Sequence, residues 1–184
     1  MSSITLTTVE KKIPVFTTYL PDYENLNPKL ITLIKQYREK FPEKEEHTNL
    51  RAWRSSYDTH INEDRFDFLI EKGIEAAKCI AKEYWLAPNI NYLTSAFWMC
   101  MYEKGEYARE HHHYPSDVSI VYYVDVKDDS APIVFEDKLT IQPKNGMMLI
   151  FPAWVQHRVL KTESERIVIA MNLVKKLDII EVSS

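Results

Sequence analysis

Glycine is scarce: Gly73, Gly105 and Gly146 are the only three in 184 residues. A Walker loop needs two glycines five positions apart, and a dinucleotide fingerprint needs three in close succession. Neither phosphate cradle can be built, so nucleotide chemistry of those types is excluded. The chain also lacks a GxSxG elbow, an HExxH helix and any internal repeat. Cysteine is limited to Cys79 and Cys100, with no CxxC spacing. That leaves no disulfide framework and no thiolate zinc site, and both thiols are expected to be reduced and buried. Charge of one sign is not in excess either. The formal net charge is −4 and no basic stripe stands out, so nucleic acid is not an expected partner. Apolar runs such as "MMLIFPAWV" fall far short of the ~20 residues that span a bilayer, and no membrane partner is expected. The stretch "MSSITLTTVEKKIPVF" has no basic region followed by an apolar core, so no signal peptide is expected and the location is expected to be cytoplasmic.

What is present divides the chain by period. From Asn27, a cap candidate followed by Pro28, the residues Leu30, Leu33, Ile34, Tyr37 and Phe41 recur at helical spacing until Pro42. The polar stretch "EKEEHTNLRAWRSSYDTH" reads as loop. A second helix is predicted from about Glu63 to Tyr84, with Phe66, Ile70, Ile74, Ala77, Ile80 and Tyr84 on its apolar face. After residue 90 the period drops to two. "LTSAFWMCMY", "VSIVYYVDV", "PIVFE", "KLTIQP", "MMLIFP", "VQHRVL" and "RIVIAMNLV" read as short strands. Turn signals at Lys104-Gly105, Asp128-Asp129 and Asn145-Gly146 separate them, the last a two-residue hairpin signal. The expected fold is mainly β, a jelly-roll barrel backed by two helices. It forms a single domain over 1–184, with helical cover and mouth segments in 1–90 and the β core in 91–175.

Three of the six histidines stand together in "GEYAREHHHYPSDVSIVYYVDV". Side chains at i and i+2 of a strand share a face, so His111 and His113 project together and His112 turns away. A metal held at ~2.0–2.1 Å from each imidazole nitrogen needs that convergence and at least one more ligand. His47, His60 and His157 are the remaining candidates. By itself the HxH is equally compatible with a surface cluster.

The flanking sequence resembles the iron(II)- and 2-oxoglutarate-dependent oxygenases. "YEKGEYAREHHH" is similar to the prolyl-hydroxylase-type pattern of Tyr, Gly, Tyr and His-x-acid, which falls on Tyr102, Gly105, Tyr107, His111 and His113. "IQPKNGMMLIFPAWVQHRVLKTESERIVIAMNL" is similar to its second half, with Pro143, Lys144, Gly146, Phe151, His157 and Arg166 at the matching positions. The segments "HHHYPSDVSIVYY", "FPAWVQH", "ERIVIAMN" and "TNLRAWRSSYDTH" resemble most the branch found in marine bacteria and their phages. The likeness extends over roughly residues 48 to 174. A phage-infected host cell is one cytoplasmic setting that it suggests.

The resemblance implies a double-stranded β-helix that binds Fe(II), with 2-oxoglutarate and dioxygen as co-substrates. It implies oxidative decarboxylation of the keto acid coupled to hydroxylation of an unidentified small-molecule or peptidyl substrate. His111, His113 and His157 would hold the metal, and no other catalytic side chain is implied. The wider superfamily has a carboxylate where this chain has His113, so either the triad is all histidine or Asp117 substitutes. Arg166 would anchor the distant carboxylate of the keto acid through its bidentate fork, unless it pairs with Glu163 or Glu165 at the surface. Val168, Ala170 and Asn172 share its strand face. Tyr102 is a candidate second hydrogen bond to the keto acid or a core aromatic. Trp98, Trp154, Tyr122 and Tyr123 are candidate pocket walls. Two other classes share the barrel: a cupin-like three-histidine enzyme without 2-oxoglutarate (a thiol dioxygenase or isomerase), and a non-catalytic metal- or ligand-binding barrel. Oligomeric state is not legible.

Overall fold

The shift to a period of two after residue 90 is realised in strands that alternate between two facing sheets. A computed structural model describes residues 12–43, 49–84, 87 and 89–176. In chain order the elements are β1 (Phe16–Tyr19), α1 (Tyr23–Lys40), β2 (Leu50–Arg51), β3 (Trp53–Arg54), α2 (Thr59–Asn62) and α3 (Asp67–Tyr84). They continue with β4 (Tyr92–Tyr102), β5 (Tyr107–His111), β6 (Val118–Asp125), β7 (Ile133–Phe135), β8 (Leu139–Ile141), β9 (Met147–Pro152), β10 (His157–Val159) and β11 (Arg166–Lys175). A major sheet runs β1-β9-β6-β11-β4-β3 and a minor sheet β2-β5-β10-β7-β8, with antiparallel neighbours throughout. The architecture is the double-stranded β-helix expected from sequence.

The turn signals do a different job from the one expected. From β4 onward every link except β7–β8 carries the chain from one sheet to the other. Asn145-Gly146 is therefore not a hairpin turn, because β8 and β9 lie in different sheets. Its residues are instead fixed to β6 and its end: Asn145 Oδ1 accepts from Val126 N at 2.7 Å, and Gly146 N donates to the Tyr123 carbonyl at 2.9 Å. The hairpin in this region is β7–β8, closed by Glu136 and Asp137, both at positive φ.

The first helix starts at Tyr23, a turn earlier than predicted. Asn27 is no cap. It lies buried within the helix, where Nδ2 donates to the Val124 carbonyl (2.7 Å) and Oδ1 accepts from Tyr122 Oη (2.6 Å). These bonds pin the helix to the back of β6. On α3 the buried stripe is Leu69, Gly73, Ala77, Ile80 and Ala81, while Tyr84 is exposed. Gly73 decides this, since a Cβ there would meet Met171 Sδ at 2.7 Å. Small residues four apart let the helix lie close on β11, and hydrophobic periodicity undercounts them. Cys79 lies on the exposed side of this helix and Cys100 is buried, so only one thiol follows the expectation of burial.

The stretch expected to be loop holds β2, β3 and the start of α2. Strands of two residues are too short to show a period. They matter because Leu50 pairs with Ala108, and Arg54 with Cys100, which brings the N-terminal half into both sheets. A boundary at residue 90 therefore does not separate cover from core. The apolar interior falls in two parts. One lies between the helices and the major sheet, and the other between the sheets, where Trp98, Cys100, Tyr102, Tyr123, Val168 and Ala170 meet.

Two glycines separate backbone strain from steric overlap. Gly105 and Gly146 both have φ near +80°, but a Cβ on Gly105 meets nothing within 4 Å, whereas on Gly146 it falls 2.2 Å from the Tyr23 ring. Gly105→Ala is expected to cost about 1 kcal/mol. Gly146→Ala adds overpacking to that strain and should cost ~2–4 kcal/mol. Urea denaturation of both variants checks the order.

Candidate active site

The pairing of β10 with β5 sets His157 directly opposite His111, and a register shift follows before Val159 meets Ala108. The irregularity lets both Ala108 and His111 face the space between the sheets, while Tyr107 and Arg109 stay outside it. β5 ends at His111. His113 lies beyond it and is positioned by its backbone N–H, which donates to the Ala153 carbonyl at 2.6 Å. The three rings converge, with centroids 4.3 Å (His111–His157), 5.0 Å (His111–His113) and 5.1 Å (His113–His157) apart. One ring nitrogen from each lies within 4.8 Å of the others. His112 is exposed, as expected, although residues 112 and 113 lie past the end of the strand. His60 sits against Phe97, away from the trio, and His47 lies outside the described residues. Asp117 does not join the trio. Its carboxylate accepts from Lys175 N at 2.8 Å and pairs with Lys175 Nζ at 3.3 Å.

Two of the rings have fixed tautomers. His111 Nδ1 lies 2.7 Å from the Arg109 carbonyl and His157 Nδ1 3.0 Å from that of Val155. A carbonyl only accepts, so each Nδ1 carries the proton and each Nε2 presents a lone pair. Phe151 and Phe135 pack on the His157 ring at 4.9 and 5.9 Å. All three imidazoles are held neutral at pH 7. Burial, opposed in part by the Arg109 carbonyl, lowers the pKa of His111. Burial first, then repulsion from the neighbouring rings, brings His113 down to about 2 and His157 to about 3. Neutral imidazoles with free Nε2 lone pairs are the donors that a divalent ion such as iron(II) takes.

The same cavity contains Arg166, Val168 and Ala170 on successive inward positions of β11. Asn172 continues that face below the cavity, where its Oδ1 accepts from Ser119 Oγ at 2.7 Å. Arg166 is 1% exposed and makes no surface ion pair: Glu163 is engaged by Lys104. Its Nη1 donates to the Ala131 carbonyl at 2.6 Å, and its Nε is buried without a hydrogen-bond partner. The guanidinium lies 5.0 Å from the Tyr102 ring and 5.4 Å from that of Tyr123. Tyr123 Oη is likewise buried and unpartnered. Burial raises the pKa of both tyrosines, so both hydroxyls remain donors. A cation, an orphan N–H and two tyrosine donors around one space suit a carboxylate.

Trp98 and Tyr123 do line the cavity, whereas Tyr122 turns to Asn27 on the other face and Trp154 lines a separate surface groove. Sequence reasoning misses Arg54 and Tyr57, which also line the cavity. The one signal for them is the resemblance of "TNLRAWRSSYDTH", because β3 is too brief to assign an inward face.

The neutral trio sets a pH dependence. Below pH 6.5, the ordinary value for histidine, the unfolded chain binds more protons than the fold, so stability falls as pH is lowered. The thermal midpoint of metal-free protein should drop between pH 7.5 and 5.5, and His157→Gln should flatten that slope. A midpoint that is level or rises on acidification contradicts a buried neutral trio.

A family model described as "Putative 2OG-Fe(II) oxygenase" matches residues 134–172, a segment that includes His157 and Arg166. No curated protein sequence matches the chain. Among solved structures, a Pseudomonas putida prolyl-4-hydroxylase superposes with TM-score 0.68 at 15% identity, covering 90% of this chain and 94% of that one. A viral collagen prolyl hydroxylase from Paramecium Bursaria Chlorella virus-1, in complex with 2OG, gives TM-score 0.64 at 16% identity over 89% and 96%. A non-heme alpha-ketoglutarate-dependent carbocyclase from nogalamycin biosynthesis gives 0.67 at 9% over 90% and 81%. At such identities the structural likeness is one of fold. In its C-terminal signature and in its double-stranded β-helix, the chain is similar to the 2-oxoglutarate/Fe(II) oxygenase superfamily and is prolyl-hydroxylase-like in form.

Proposed function

We propose that the protein is an iron(II)- and 2-oxoglutarate-dependent dioxygenase that hydroxylates a small-molecule or peptidyl substrate. His111, His113 and His157 are its metal ligands. The observation that carries this reading is Arg166, a buried guanidinium with an orphan Nε, in the same cavity as three neutral imidazoles. When bound, iron(II) with 2-oxoglutarate and dioxygen would supply oxidative decarboxylation to succinate and carbon dioxide, one oxygen atom going to succinate and the other to a substrate C–H bond. The residues of the chain bind, orient and exclude water. The Arg109 and Val155 carbonyls hold two imidazoles in the ligating tautomer. Arg166 neutralises the remote carboxylate of the keto acid, and Tyr102 and Tyr123 donate to it. Ala170 leaves room for the acid's carbon chain, and Val168 walls it. A three-histidine cupin that uses no keto acid has no role for a buried arginine there.

Ligand assignments follow. His111→Ala and His157→Ala should abolish stoichiometric Mn(II) binding by calorimetry, and His112→Ala should bind normally. His113→Asp should retain metal, because it restores the triad of the wider superfamily. Asp117→Asn should leave affinity unchanged, because that carboxylate serves Lys175.

Arg166 tests the co-substrate. Leaving one partner of a buried charge pair uncompensated costs ~3–5 kcal/mol, roughly a hundredfold to several-thousandfold in affinity. Anaerobic titration of the Fe(II) protein with 2-oxoglutarate, followed by charge-transfer absorbance, should show that loss for Arg166→Ala and a smaller one for Arg166→Lys. Absence of 2-oxoglutarate binding to the unmodified protein would favour the keto-acid-independent cupin.

A further inference from the structure

Away from Arg166 the cavity wall is aromatic. The inward residues of β4 follow in the order Trp98, Cys100, Tyr102, and β11 sets Ala170 opposite Trp98 and Arg166 opposite Tyr102. Trp98 therefore lies four residues along the strand from the arginine, about 13 Å. There its indole packs against the His113 ring at 5.4 Å and meets the Tyr57 ring at 5.0 Å, with the two planes at 86°. Trp98 is buried, whereas Tyr57 is 48% exposed. The backbone that carries Tyr57 is fixed to β4 all the same. Phe97 N donates to the Tyr57 carbonyl at 2.8 Å, and Ser55 N donates to that of Met99 at 3.0 Å. The Arg54 guanidinium lies 3.6 Å over the Tyr57 ring and has a further partner of its own. It backs one face of the ring and helps to hold it in place.

We propose that Trp98 and Tyr57 are specificity-determining residues that receive a flat aromatic ring of the primary substrate. This rests on the oxygenase reading above and adds the substrate class to it: a compound with an aromatic ring close to the bond that is oxidised. Three facts carry it. Two rings set at 86° form an L-shaped corner, in which a third ring stacks on one wall and turns its edge to the other, the two arrangements that aromatic pairs prefer. The corner stands beside the metal ligand His113 and away from Arg166, so a group seated there is near the metal and clear of the remote carboxylate of the keto acid. Tyr57, finally, is held by its backbone while half of its surface stays uncovered. A rigid aromatic side chain with open area on a cavity wall contacts a ligand at little cost in conformational entropy.

The test uses the full-length protein loaded with Mn(II) and 2-oxoglutarate, followed by equilibrium dialysis and calorimetry. The probes are 3-phenylpropionamide and 3-cyclohexylpropionamide, two neutral amides that differ only in the ring. The cyclohexyl ring is the more apolar, so burial alone favours it, whereas the corner favours the phenyl ring. The phenyl amide should bind about two- to tenfold more tightly. Tyr57→Leu and Trp98→Leu should each bring that ratio to one or below, and Tyr57→Phe should keep it. Affinity for 2-oxoglutarate should stay within twofold in both Tyr57 variants. Far-ultraviolet circular dichroism checks the fold, and if Trp98→Leu does not fold, the half-exposed Tyr57 decides alone. A ratio at or below one in the unmodified protein, no binding of either probe, or a ratio unmoved in a folded leucine variant overturns the proposal. So does a loss of 2-oxoglutarate affinity in Tyr57→Leu like that of Arg166→Ala, which would make the corner part of the keto-acid site. Should 2-oxoglutarate fail to bind the unmodified protein, the oxygenase reading fails instead. The phenyl-to-cyclohexyl ratio on Mn(II) protein alone then still decides the role of the two rings.

Discussion

The pairing of β5 with β10 is the constraint from which the site follows. It sets His157 opposite His111, and the bond from His113 N to the Ala153 carbonyl draws the third ring in from beyond the strand end. Two short strands and one loop bond thus bring together residues 46 positions apart in sequence (157 − 111). The strands belong to the minor sheet, but the bond that places His113 reaches Ala153, which follows β9 of the major sheet. The metal trio therefore depends on both sheets holding their spacing. Helices α1 and α3 help by packing on the back of the major sheet, through Asn27 and through the close approach at Gly73.

Charge explains how the remaining parts belong together. With His113 in place of a carboxylate, the trio contributes no negative charge, and burial keeps all three rings neutral. A divalent ion held there would keep its full charge, in a cavity that also holds the Arg166 guanidinium. Such a cavity selects anions. In the proposed reading, a dicarboxylate keto acid would answer the metal with one end and Arg166 with the other. The arrangement offers no side chain as a general base, which suits chemistry in which the reactive oxidant derives from metal, keto acid and dioxygen.

Much of this is legible in the amino-acid sequence. The seven strands expected after residue 90 are readable because each is long or apolar enough to show a period of two, and His111, His157 and Arg166 sit in motif positions that carry their side chains inward. Three things are not legible, each for a physical reason. Gly73 and Ala81 join the expected Ala77 in the contact stripe of α3 through smallness rather than hydrophobicity. The Asn145-Gly146 pair has the chemistry of a hairpin turn but is used to cross between sheets. Arg54 faces inward through a strand of two residues, too short for any periodic signal. His113 is expected on a strand face beside His111, and it reaches the same place from a loop.

The central claim is that the trio and Arg166 form one site for metal and keto acid. The most direct measurement is a crystal structure of the protein with Mn(II) and 2-oxoglutarate, recorded with anomalous scattering at the manganese edge. The account predicts a single anomalous peak bonded to nitrogens of His111, His113 and His157, with the remote carboxylate of the keto acid on Arg166 and within reach of Tyr102 and Tyr123. A peak bonded to Asp117, or a keto acid whose remote carboxylate lies away from Arg166, would contradict it.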